Sequence, residues 1–108
     1  MKTGDIILIP FPFAELTNKK VRPAVVIAET HDKYKDIIVS AVSSVVPARP
    51  SDMEIIIEPN KDNGLRVRSV IKVDRIVTLK REDKIADLGK LSKQGVSTFK
   101  DALIHMIK

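Results

Sequence analysis

The sequence has no cysteine and no tryptophan. Disulfide scaffolds, thiolate nucleophiles and cysteine-based zinc or iron–sulfur sites are therefore excluded. Two histidines, His31 and His105, are the only imidazoles, and neither has acidic neighbours at a metal-ligand spacing. Aromatic residues make up 4% of the chain, too few for an extended base-stacking platform. No apolar run approaches the ~20 residues needed to span a bilayer. The opening Met1-Lys2-Thr3-Gly4-Asp5 has no apolar segment before a cleavage site, so a cytoplasmic protein is expected. Internal repeats and low-complexity linkers are also missing, and 108 residues imply a single domain over 1–108.

What is present is a basic chain with a net charge of +5, which favours a polyanionic partner or an acidic protein over a neutral small molecule. Short β-branched-rich runs read as strands over Asp5 to Pro10, Arg22 to Ala28, Asp36 to Val42 and Met53 to Ile57. Ser69 to Val73 and Ile76 to Leu79 are two more. Pro10-Phe11-Pro12-Phe13 closes the first run because proline cannot donate to a ladder, and Ala14 to Lys20 reads as a polar loop. Asn63-Gly64 is the strongest hairpin signal in the chain. Near the C-terminus the period changes. Val96, Phe99, Leu103, Met106 and Ile107 recur at helical spacing, with Ser92 as N-cap. Several strands followed by one helix imply a mainly β fold, an antiparallel barrel carrying a C-terminal helix. Met53 and Met106 read as core gap-fillers, His31 as a loop residue and His105 as a helix-face residue.

Four segments, taken in order, resemble the PemK/MazF toxin family: Gly4-Asp5-Ile6-Ile7-Leu8-Ile9-Pro10; Arg22-Pro23-Ala24-Val25-Val26-Ile27; Ile38 to Ser44; and Gly64-Leu65 leading through Ser69-Val70-Ile71 to Asp74-Arg75-Ile76-Val77-Thr78-Leu79. Leu88-Gly89-Lys90-Leu91 before the helix is similar to the family's G-x-L. The resemblance covers nearly the whole chain. It implies an SH3-like barrel, a homodimer, metal-independent cleavage of single-stranded RNA with no cofactor, and inhibition by a cognate antitoxin.

Carried over residue by residue, the resemblance implies Arg22 as the catalytic arginine, whose guanidinium can hold phosphate oxygens in a bidentate fork. It implies Ser43 as the strand-end hydroxyl that donates to the phosphorane, with Ser44 in that role if the register slips by one. The PemK branch carries Arg-x-Asp in the later strand, and here the match is Lys72-Val73-Asp74. Alternation puts Lys72 and Asp74 on one face, as clamp and general base. Lysine in place of arginine, and the missing first-loop histidine of that branch, are departures from its pattern. Lys19, Lys20, Ser69 and Arg75 are candidate RNA contacts, Arg66 and Arg68 can extend the same groove, and Phe11 or Phe13 can stack a base. Two other readings of the barrel stay open: a non-enzymatic toxin that binds a protein such as gyrase, and a catalytically inactive nucleic-acid binder.

Overall fold

The computed structural model describes residues 1–11 and 20–108, and for Phe11 and Lys20 the backbone only. Six strands form one antiparallel sheet: β1 Asp5–Phe11, β2 Lys20–Glu29, β3 Ile37–Ser43, β4 Glu54–Ile57, β5 Ser69–Leu79 and β6 Ala86–Lys90. Their order across the sheet is β4-β5-β3-β2-β1-β6, a curled half-barrel followed by a single helix, α1 Lys93–Ile107. The expected fold class is the observed one.

The curl buries both faces of its central strands. Ile6 and Val25 join Val42, Ile71, Val73 and Phe99 beneath α1, whereas Ile7, Ile9, Ala24, Val26 and Val39 pack on the other face. This is why β1 reads as an unbroken apolar run rather than an alternating one. The two prolines within strands, Pro10 and Pro23, sit where a ladder has stopped. The Leu8 carbonyl faces β6 and accepts the Ile85 N–H at 2.8 Å. Pro10 faces that same edge beyond the last β1–β6 pair, Leu8 with Ala86. Pro23 pairs with Leu8, so its nitrogen faces β3, whose pairing with β2 begins one residue later at Ala24. Neither ring removes a ladder hydrogen bond, and β1 runs on to Phe11, one residue past the expected end.

Other expectations need correcting. The two runs after Ser69 are one strand, β5, interrupted by a bulge: Ala41 pairs with Lys72 but Ser40 pairs with Ile76, leaving Val73, Asp74 and Arg75 without β3 partners. Strand β6 was not legible, because Ala-Asp-Leu-Gly-Lys has low strand propensity and is drawn into the sheet by pairing with β1. Asn63-Gly64 does not make a two-residue hairpin. It lies inside the long loop, residues 58–68, that joins β4 to β5.

Helix α1 starts as expected, with Ser92 Oγ accepting the Gly95 N–H at 3.0 Å. Phe99 is its fully buried anchor, flanked by Val96, Ala102 and Leu103. Ile107 leaves the expected stripe and is 78% exposed, since its position in the last turn lies on the flank of the face that Phe99 centres. Met53 packs against the core and Met106 is half-buried.

Candidate active site

One end of the half-barrel carries a cavity of about 330 Å³. Its walls come from β1 (Leu8), the start of β2 (Val21, Arg22, Pro23), the end of β3 (Val42 and the following Ser44) and β6 (Leu88). The 58–68 loop and the start of β5 close it with Leu65, Arg66, Val67 and Ser69.

The closing loop is pinned by a buried amide. Asn63 is 1% exposed, and its Oδ1 accepts from the Asn60 and Leu65 backbone N–H groups at 3.2 and 3.0 Å. Its Nδ2 donates to the Glu58 carbonyl at 2.9 Å, so both ends of the amide hold the loop. The loop then lies directly on β6, where the Asp62 carbonyl accepts the Lys90 N–H at 2.9 Å. Glycine is required on both sides of that contact. A Cβ on Gly64, whose φ is +69°, would fall 2.2 Å from the Leu88 carbonyl oxygen, and one on Gly89 would fall 2.1 Å from that of Asp62.

Arg22 is half-buried in the cavity wall. Alternation along β3 turns Val42 and Ser44 to the cavity and Ser43 away from it. Ser43 Oγ instead accepts the Val45 N–H at 3.1 Å, a local strand-end turn. Of the two strand-end serines, Ser44 is the one that lines the cavity with Arg22. Ser69 also lines the cavity, but its hydroxyl donates to the Val67 carbonyl at 2.9 Å and holds the turn into β5.

The remaining candidates do not converge here. Lys72 is half-buried and its Nζ lies 3.5 Å from Glu54 Oε2. The Ser51 backbone N–H, 2.9 Å from Glu54, holds that carboxyl below its usual value, and the Lys72 ammonium adds to the effect. Asp74 and Arg75 are exposed in the β5 bulge, followed by an equally exposed Ile76. Alternation holds from Ile71 to Asp74, with Ile71 and Val73 buried and Lys72 and Asp74 turned outward, and is lost beyond Asp74 in the bulge. Arg68 is engaged by Glu58 at 2.8 Å, and Arg66 lines the cavity at its lip. Lys19 and Phe13 lie outside the described residues, as do the side chains of Lys20 and Phe11. The β6 wall at Leu88 was not among the expected site residues: the Leu88-Gly89-Lys90-Leu91 match includes it but assigns it no role.

The cavity's polar groups are two guanidiniums and two hydroxyls, with no carboxylate or imidazole among the described residues of its lining. Such a site receives an anion and can stabilise charge that develops on it. Among the described residues no cluster of three or more His, Asp or Glu side chains could hold a metal ion, and no helix is long and apolar enough to cross a membrane. A second cavity, about 560 Å³, lies at the other end of β2 between Met1, Glu29, His31, Lys35 and Lys100. Its carboxylate, Glu29, is already shared by Arg81 at 2.9 Å and the N-terminal amine at 3.5 Å.

A family profile described as the PemK-like, MazF-like toxin of type II toxin–antitoxin systems matches residues 2–107. The chain belongs to this toxin family. Solved structures of similar fold include an endoribonuclease in complex with its cognate antitoxin from a mycobacterial species, at 15% identity and a TM-score of 0.72, covering 97% of this chain and 92% of that one. The Mycobacterium tuberculosis toxin MazF-mt6 aligns at 18% identity and 0.70, covering 95% of each chain. MazF from Deinococcus radiodurans aligns at 18% and 0.71, covering 99% of this toxin and 96% of that chain. No curated protein matches the toxin by sequence.

Proposed function

We propose that this toxin is a metal-independent, sequence-specific endoribonuclease of single-stranded RNA, and that its site is the cavity holding Arg22 and Ser44. Family membership supports the class of activity, and one observation carries the site: the motif arginine and a strand-end hydroxyl share a cavity whose described lining has no negative charge. The substrate's own 2′-hydroxyl attacks the adjacent phosphorus. The O2′–P bond forms, the P–O5′ bond breaks, the 2′ proton is lost to solvent and the departing 5′-oxygen gains one. The products are a 2′,3′-cyclic phosphate and a 5′-hydroxyl. Arg22 binds the non-bridging oxygens in a fork, and Ser44 donates to the oxygen on which charge accumulates. Proton transfer at this wall passes through water, with the guanidinium as a transient donor.

The toxin acts as a cytoplasmic homodimer and is restrained by a cognate antitoxin, a reading supported by the family and by the mycobacterial relative solved with its own antitoxin. Incubation of purified protein with a long mixed-sequence RNA, with EDTA present, tests the proposal. Discrete cuts ending in cyclic phosphate are expected. RNA left whole across diverse sequences would replace the enzyme by a toxin that acts through binding alone.

Two serine variants separate the roles at the end of β3. Ser44→Ala is expected to lower kcat by about 10²-fold with RNA affinity nearly unchanged, as for the loss of one transition-state donor. Ser43→Ala removes only the bond to the Val45 N–H, costing about 1 kcal/mol of stability and leaving kcat within about threefold. The reverse pattern in single-turnover kinetics would return the catalytic hydroxyl to Ser43.

A further inference from the structure

The two arginines of the 58–68 loop are in different electrostatic situations. Arg68 is held by Glu58 and does not line the cavity. Arg66 is exposed at the cavity lip and has no ion pair with any described residue. The loop that presents it is anchored by Asn63 and by the Gly64–Gly89 contact, so its backbone is fixed before a ligand arrives. The cavity behind it is walled by Leu8, Val42, Leu65 and Leu88, with no aromatic ring among the described lining. An apolar slot of this size suits one unstacked base gripped between aliphatic side chains.

The polarity of the slot narrows which base. With Arg22 and Ser44 assigned to the phosphate, the charged side chain left in the lining to meet a base edge is Arg66, a forked donor with no acceptor. Ser69 spends its proton on the Val67 carbonyl. An amide, which would pair with the mixed donor and acceptor edge of adenine, is absent from the described residues of the lining, and the buried Asn63 amide behind them bonds to the loop's own backbone. A forked donor matches two adjacent acceptors, and guanine offers these at O6 and N7.

We propose that the 58–68 loop is the base-reading wall of the site and that Arg66 selects a guanine next to the scissile phosphate. The proposal takes its substrate class from the nuclease reading above. Its test uses oligonucleotides that cannot be cut, 2′-O-methylated throughout, with one guanine or one adenine in a uridine run, titrated against the full chain by fluorescence anisotropy. Wild type is expected to favour the guanine oligonucleotide by about tenfold or more. Arg66→Ala should bring that ratio to about one; the loss of a cation also weakens binding of the all-uridine oligonucleotide, but equally for every sequence, so it cancels in the ratio. Arg66→Lys should keep the charge and still lose the ratio, because lysine has no fork. A wild-type ratio near one, a ratio unchanged in Arg66→Ala, or no binding of any oligonucleotide overturns the proposal. All-ribose versions run in parallel keep the two readings apart. Guanine preference without any cut sinks the nuclease and leaves the base reader, whereas efficient cuts in words lacking guanine do the opposite.

Discussion

Arg22→Ala is expected to reduce RNA cleavage by about 10³-fold or more while the protein stays folded. The side chain is half-buried in the cavity wall, so the phosphate it meets is partly withdrawn from water, where a charged donor acts most strongly. Losing one neutral oxyanion donor typically costs about 10²–10³ in kcat. A guanidinium that supplies charge and two hydrogen bonds together sits at or above the upper end of that range. Arg22→Lys restores charge without the fork and is expected to recover only part of the loss. Circular dichroism and thermal melts guard against a folding defect, since Arg22 lies on β2 opposite Ile9. Full cleavage by a folded Arg22→Ala protein would remove this cavity from the mechanism.

The largest loss of stability is expected where the 58–68 loop meets β6. Gly64→Ala places a Cβ against the Leu88 carbonyl, a backbone atom that cannot swing aside, and does so at a positive φ. The left-handed conformation costs about 1 kcal/mol and the overlap about 1–3 more. The sum is a large part of a typical stability of about 5–15 kcal/mol. A fall in Tm on the order of 10 °C or more follows for a domain of this size. Gly89→Ala meets the Asp62 carbonyl from the other side and should behave alike, without the φ term. Gly95→Ala is the control. Its nearest contacts are side chains at 3.2 and 3.3 Å in the first turn of α1, and the gain in helix propensity holds the net change within about 1 kcal/mol. Because Leu65, Arg66 and Val67 ride on the same loop, whatever Gly64→Ala protein remains folded should also lose RNA selectivity. An unchanged Tm in both glycine variants would mean that the loop does not rest on β6.

Much of this molecule was legible along the chain. The β-branched runs fell close to β1 through β4, the change of period located α1, and Ser92 capped it as its hydroxyl and position required. The Arg22-Pro23 pair, which the family resemblance singled out, lines the cavity. These features depend on residues within a few positions of one another, where side-chain period and capping chemistry act. Alternation also carried the information that Val42 and Ser44 share a face, but one residue of register separates Ser43 from Ser44, and only the packed sheet says which side is the cavity.

The sequence by itself determined a basic, cysteine-free, strand-rich chain closed by one amphipathic helix, with an arginine–proline motif at the start of its second strand. The tertiary structure decided the rest. It drew Ala86–Lys90 into the sheet against their own propensity, inserted the bulge that leaves Asp74 and Arg75 exposed and without partners on β3, and chose Arg66 over Arg68 for the cavity lip. Each of these rests on contacts between residues far apart in the chain, such as Gly64 with Leu88 and Asn63 with Gly89. Such contacts exist only once the whole sheet has curled, and no local pattern of side chains encodes which distant backbone will press against them.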